Sequence, residues 1–164
     1  LVPDMFVSLD FTFLEPACGH GNFLVEILAR KIELITAERF GYEPGWFEYS
    51  LLRAVASIYA IDISEENVLE ARHRMFEIVA AAHALHGDPA SLGFDDAVLT
   101  ILESNVLLGD SLTKATDIQF VNYVPIEGHR FERKPFFLEE PEMDLFYQPP
   151  LPLETVHYLN LGKK

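Results

Sequence analysis

Cysteine is nearly absent: Cys18 is the one example in 164 residues. With no second thiol an intramolecular disulfide is excluded, so the fold must rest on a hydrophobic core. Also missing is any apolar run approaching the ~20 residues that a membrane-spanning helix needs. No basic stretch followed by an apolar one marks an export leader; the expected compartment is the cytoplasm, with no membrane partner. The chain begins at Leu1 with no methionine before it, as expected of a fragment or a trimmed chain. Basic residues are the most telling shortage. Twelve Lys and Arg stand against 26 Asp and Glu, a formal net charge of −14. Such a surface repels the phosphate backbone, whose neutralisation supplies most non-specific affinity for DNA. If this chain acts on DNA, the basic, base-reading surface must come from a missing segment or a partner chain.

What is present suits one globular domain. With 49% hydrophobic and 23% charged residues the composition is ordinary, and the length allows a sizeable core. Residues 1–164 read as a single domain. From Glu139 to Lys164, Pro141, Pro149, Pro150 and Pro152 fall among Leu, Phe and Tyr. That Pro-rich tail predicts a C-terminal arm packed on the body or on another subunit, with a Pro-Pro-Leu-Pro ligand for an aromatic groove as the weaker alternative. His129-Arg130-Phe131-Glu132-Arg133-Lys134 is the one locally basic run, with Phe136 and Phe137 beside it. An edge hairpin with a solvated face is favoured there over a contact with nucleic acid.

The organising stretch is Leu14-Glu15-Pro16-Ala17-Cys18-Gly19-His20-Gly21-Asn22-Phe23. Phe11 to Leu14 is a short apolar, β-prone run, and Pro16 ends it. Gly19 and Gly21 permit a tight turn with positive φ. Asn22 is a good N-cap for a helix expected over Asn22 to Phe40, since Phe23, Leu24, Ile27, Leu28, Ile32 and Ile35 follow at helical spacing. Strand, glycine turn and helix together let backbone N–H groups and a positive helix end approach a ligand closely.

Further elements follow in order. Trp46 to Ser57 reads as a second helix, and Ile58 to Ile63 as a buried strand that is apolar until Asp62. Asp62 lies more than twice as far beyond Glu15 as the ~20 residues of the nicotinamide-binding fingerprint, and a third correctly spaced glycine is lacking, so NAD is disfavoured. A carboxylate at the carboxyl end of a second parallel strand suits ribose hydroxyls; the alternative is an acid beside the next helix, which Ser64 caps. Ser64 to Leu85 predicts a long amphipathic helix, with Arg72, His73 and Arg74 as solvated flank residues. His83, His86 and Asp88 lack the further ligands of a metal shell and read as a polar helix end, so no metal is expected. A short helix over Gly93 to Leu102 and a strand from Asn105, ending in Gly109-Asp110, come next. Cys18 has no His placed to activate it, and a small side chain in the turn explains it better than nucleophilic chemistry.

The run Glu15-Pro16-Ala17-Cys18-Gly19-His20-Gly21-Asn22-Phe23-Leu24 resembles the cofactor-binding motif of DNA adenine-N6 methyltransferases of restriction–modification systems. The resemblance covers roughly Leu1 to Leu112 and implies an α/β, Rossmann-like three-layer sandwich with a mainly parallel central sheet. It also implies S-adenosylmethionine, its methionine end over Gly19 and Gly21, its ribose on Asp62 and its adenine amino group on Asp110. Glu15, Pro16, Ala17, Cys18, Asn22 and Phe23 would complete the turn, with Ile63 and Ser111 beside the two acids. The family's aromatic-Thr-Pro element, which touches the cofactor's carboxylate, is absent and would fall before Leu1.

The family's catalytic loop, an Asn or Asp followed by Pro-Pro and an aromatic, should come next; there the polar side chain accepts from the amino group of a flipped adenine. Ile118 to Pro125 makes a plausible strand without paired prolines, and Asn122-Tyr123 is at best a degenerate echo. Gln148-Pro149-Pro150-Leu151 has the prolines but lies well downstream and lacks the aromatic. No catalytic residue is assigned. Two function classes follow: the cofactor domain of an adenine methyltransferase, incomplete alone, or a non-catalytic cofactor-binding or interaction subunit. A small-molecule methyltransferase is a weaker third.

Overall fold

Ile58–Asp62 forms strand β2, and all five of its residues are buried. Such a strand needs apolar cover on both faces, which explains its continuous hydrophobic run. The computed structural model describes residues 8–38, 45–139 and 154–163. Strand β1 (Phe13–Glu15) and strand β3 (Val106–Leu108) flank β2 in a parallel sheet of order β1-β2-β3. Leu14 pairs with Tyr59 and Ile61 with Leu107. Each crossover carries two helices: α1 (Asn22–Glu38) and α2 (Trp46–Ala56) lead into β2, while α3 (Glu65–His86) and α4 (Phe94–Asn105) lead into β3. The four helices pack on one another and share one core with Phe13, Ile58, Ala60 and Val106. No helix among the described residues is long and apolar enough to cross a membrane.

The other face of β2 is covered differently. Tyr59 and Ile61 pack against Ile118, Phe120 and the partly buried Phe136 and Leu138. The Tyr59 ring stands edge-on to Phe120 and to Phe136, each at 5.3 Å. Phe120 and Phe136 belong to a second, antiparallel sheet of β4 (Gln119–Ile126), β5 (Arg130–Phe137) and β6 (Thr155–His157). The parallel sheet expected is present but small, and the described strands split evenly between it and a separate antiparallel sheet. The hairpin explains why: Gly128 and His129 both take positive φ, 75° and 53°, and the chain folds straight back instead of crossing over. The architecture is mixed α/β with a small parallel sheet.

Helix limits shift by a few residues from those expected. Ser64 caps α3, its Oγ accepting from Asn67 N, and Gly87 ends the helix in the left-handed region. Helix α4 runs three residues past Leu102 because buried Asn105 is occupied there: its Oδ1 accepts from Val121 N at 3.0 Å and its Nδ2 donates toward Ala56 O at 3.5 Å. Arg72 is not a solvated flank residue, since its Nε donates to Val106 O at 2.9 Å and ties α3 to β3. Lys31, which the apolar spacing of α1 gave no reason to single out, is fully buried; its Nζ donates to Leu9 O (2.9 Å) and Phe11 O (2.8 Å). Burial pulls that amine down to about 8.

Residues 154–163 lie on the body of the protein; the rest of the Pro-rich tail, with Gln148 and the paired prolines, lies outside the described residues. Buried Tyr158 donates from its hydroxyl to Glu48 Oε2 at 2.7 Å. Glu48 Oε1 accepts from Ser91 N at 2.8 Å and meets His83 Nε2 at 3.1 Å. Burial alone would raise the Glu48 carboxyl, but the hydrogen bonds from Ser91, Tyr158 and His83 hold it below its ordinary value. Burial and donation to Glu48 push the Tyr158 phenol up to about 12. Glycines admit this segment. A Cβ on Gly93 would stand 2.5 Å from Leu159 O, and one on Gly45 2.7 Å from the Tyr158 hydroxyl.

Gly93 and Gly87 share the left-handed conformation, but only Gly93 faces a neighbour within 4 Å. Gly87→Ala should cost about 1 kcal/mol of folding stability through backbone strain alone. Gly93→Ala should cost ~2–3 kcal/mol, because strain is joined by the clash with Leu159. Urea denaturation of both variants checks this; equal losses would mean that the segment does not depend on Gly93.

Candidate functional site

The turns after all three parallel strands gather at one end of the sheet. Cys18 N donates to Ile61 O at 2.9 Å and Gly109 N to Asp62 O at 2.9 Å, extending the ladder one step past each outer strand. Ser111 Oγ donates to Pro16 O at 3.0 Å and joins the first and third turns directly. Open α/β sheets present their ligand crevices at this end, outside the carboxyl ends of the strands.

The two glycines of the first turn differ in what they do. Gly19 has φ 53° and open space where a side chain would be. Gly21 has φ 78°, and a Cβ there would stand 2.9 Å from Ala71 Cβ, so its bareness lets α1 approach α3. Val25 N donates to Gly21 O, which puts Gly21, not Asn22, at the cap position. Asn22 opens the helix, and its Oδ1 accepts from Arg74 Nη1 at 2.7 Å. No acceptor among the described residues meets the N–H groups of Asn22, Phe23 and Leu24, the donors a helix start leaves open.

Asp62 is buried and already engaged. Its Oδ2 accepts from Gly19 N at 2.8 Å; its Oδ1 accepts from Ser64 N and Asn67 Nδ2, each at 2.9 Å. Burial would raise its pKa, but the hydrogen bonds from Ser64, Asn67 and Gly19 hold it below the ordinary value. A carboxylate offers about four lone-pair sites, so one remains, on Oδ2. Asp110 is half-buried, and its oxygens accept from Leu112 N, Thr113 N and the Thr113 hydroxyl. Those bonds lower its pKa and fold the third turn on itself. Glu15 Oε1 accepts from Ala17 N at 3.3 Å. Cys18 is buried, and burial, with the Asp62 charge next, pushes its thiol up to about 11. At neutral pH it is not a thiolate.

Around the strand ends large apolar side chains stand open to solvent: Ile63 is 76% exposed and Leu112 92%, with Leu108 and Phe23 also exposed. The structure thus gathers Glu15 to Phe23, Asp62, Ile63, Asp110 and Ser111 at one end of one sheet. An open cavity of about 580 Å³ lies beside His20, lined by Glu65, Glu66, Leu69, Glu70 and His73; none of the twelve residues expected to hold the cofactor lines it. Arg74, expected to be solvated, binds the turn, and the sequence signal was only its spacing of three from Ala71.

Other expectations land elsewhere. Asn122 is exposed on β4 in the antiparallel sheet, and neighbouring Tyr123 is buried with its hydroxyl 2.8 Å from Ser104 Oγ. The basic run is spent on its own sheet: Arg130 donates to Thr155 O, Arg133 pairs with Glu154 and Lys134 with Glu132. His83 belongs to the Glu48 network, while His86 stacks on Phe47 at 4.0 Å and lies 3.4 Å from Asp88. Among the described residues no group of three or more His, Cys, Asp or Glu is placed to hold a metal ion. Comparisons with protein-family models, with curated proteins and with solved structures find no match to this chain.

Asp62→Ala strands the donors on Gly19, Ser64 and Asn67 and should lower folding stability by about 1.5–3 kcal/mol at neutral pH. Because the folded carboxyl is depressed, its contribution is complete above the ordinary value of 3.8 and is lost as pH falls below it. Denaturant titrations of both proteins should therefore differ fully at pH 7 and converge in strong acid. A constant gap across that range would mean that the charge of Asp62 is irrelevant to the fold.

Proposed function

We propose that this chain is the S-adenosylmethionine-binding part of a cytoplasmic DNA adenine-N6 methyltransferase of the restriction–modification type, incomplete on its own. One observation carries the reading: the turns holding Glu15 to Phe23, Asp62-Ile63 and Asp110-Ser111 converge at the carboxyl ends of three parallel strands. The residues fit the cofactor. Open space over Gly19 suits a close backbone approach, and the free N–H groups of Asn22 and Phe23 suit a carboxylate. Asp62 Oδ2 retains one acceptor site for a ribose hydroxyl, and Ile63 and Leu112 offer exposed apolar surface to a purine. The cofactor supplies an activated methyl group; these residues bind and orient it.

The strand order supports the same fold. Read outward from β1 it is half of the doubly wound order 3-2-1-4-5-6, whose crevice lies where the order reverses. The outer edge of β1 pairs with no strand among the described residues, so further parallel strands and a third layer would join there from another segment or subunit. That part would also bring the catalytic loop and the contacts to DNA. A non-catalytic cofactor-binding subunit is the second reading, favoured by the placement of Asn122 away from the strand ends and by a basic run paired within its own sheet.

Calorimetry should show heat on titration with S-adenosylmethionine and weak affinity, and none with NAD. Gly19→Asp should abolish the signal by placing a carboxylate where the turn must stay open. A folded protein that gives no heat with the methyl donor or its demethylated product overturns the cofactor.

The chain alone should not methylate duplex DNA, because flipping a base costs a few kcal/mol that DNA contacts must return. Labelled methyl donor with mixed-sequence DNA at low salt, where electrostatic binding is strongest, is the lenient trial. Incorporation at adenine that Gly19→Asp removes would show a complete enzyme.

A further inference from the structure

We infer that Arg74 is the positioning residue of the glycine turn, setting from α3 the conformation on which ligand binding depends; its link to a ligand rests on the S-adenosylmethionine reading above. One guanidinium nitrogen, Nη1, donates to His20 O at 2.6 Å and to Asn22 Oδ1 at 2.7 Å. These acceptors flank Gly21, whose missing side chain lets the turn lie against Ala71. Ala71 and Arg74 are three apart on α3 and so share one face of that helix. That face is the back wall of the turn.

The opposite side of the turn is held by the same β2–α3 unit, through Asp62 Oδ2 on Gly19 N. Between the two holds, Gly19, His20 and Gly21 have little freedom. Gly21 N donates to Cys18 O at 3.0 Å, closing the turn on itself. With the His20 carbonyl drawn back to Arg74, the amide plane between His20 and Gly21 is fixed. Asn22 is the first helical residue, and its Oδ1, held by Arg74, is kept turned away from the free N–H groups of the helix start. The N–H groups of Asn22, Phe23 and Leu24 therefore stay open to a ligand. Of the residues expected to meet the cofactor, Asn22 is the one to which Arg74 is hydrogen-bonded among the described residues, so it acts through the turn.

Arg74→Ala and Arg74→Lys test this by two measurements on the folded chain. Hydrogen exchange in the ligand-free protein should show Gly21 N–H exchanging several-fold faster in Arg74→Ala, with core amides of α1 such as Ile27 and Leu28 unchanged. Calorimetry with S-adenosylmethionine should show about tenfold weaker binding. Arg74→Lys keeps donors of the same charge and should recover part of both. If Gly21 exchange and affinity are unchanged in Arg74→Ala, or if all α1 amides accelerate together, the positioning role falls. Should Arg74→Ala unfold, Asn22→Ala removes one of the two acceptors and must produce the local acceleration at Gly21. If the wild-type chain binds no S-adenosylmethionine, the cofactor falls while faster exchange at Gly21 alone upholds Arg74 as the residue that sets the turn; unchanged exchange overturns both.

Discussion

One carboxylate joins the parts that make this end of the molecule. Asp62 ends the central strand, and its oxygens reach the glycine turn through Gly19 and the start of α3 through Ser64 and Asn67. An anion surrounded by donors tolerates burial that would otherwise drive protonation. Those bonds also fix where the first turn lies relative to the second helix pair. Arg74 then braces the same turn from behind, so a β2–α3 unit built far along the sequence shapes a loop built near its start.

The rest of the fold supports that end by different means on its two faces. Helices cover one face of the parallel sheet with aliphatic residues, and an antiparallel sheet covers the other with aromatic rings. Tyr49 reaches from α2 to the hairpin, its hydroxyl donating to Arg130 O at 2.7 Å, so both sheets are referred to one helix. At the other side Lys31 gathers the backbone before β1 onto α1. A buried amine is tolerated there because two carbonyls and the face of the Phe13 ring receive it.

Much of the parallel half was legible in the residues. Strand β2 announces itself by an apolar run that only Asp62 interrupts, and the glycine turn by Pro16, Gly19 and Gly21, because local chemistry alone decides those features. The antiparallel half was less legible. Pairing of β5 with β6 joins residues separated by a long stretch, and nothing local marks Thr155–His157 as a strand. Side-chain ties across helices were also hidden: Arg72 and Arg74 flank His73 in a polar run, His83 lies beside the polar helix end, and only the packing of α3 gives each its partner. Asp62 shows the limit from the other direction. Its place at the end of a strand was readable, but how many of its lone pairs were already taken was not.

The Tyr158 hydroxyl and Glu48 are 110 positions apart in the chain. During synthesis the parallel sheet and its four helices are complete in sequence before Tyr158 is added. Glu48, which Ser91 and His83 can already reach, must wait over that interval without its last donor. Contacts so far apart close late and slowly, since loop closure precedes any gain from the contact. A chain without residues 154–163 would leave Glu48 on α2 lacking the Tyr158 donor and Gly93, at the start of α4, lacking the Leu159 backbone it faces.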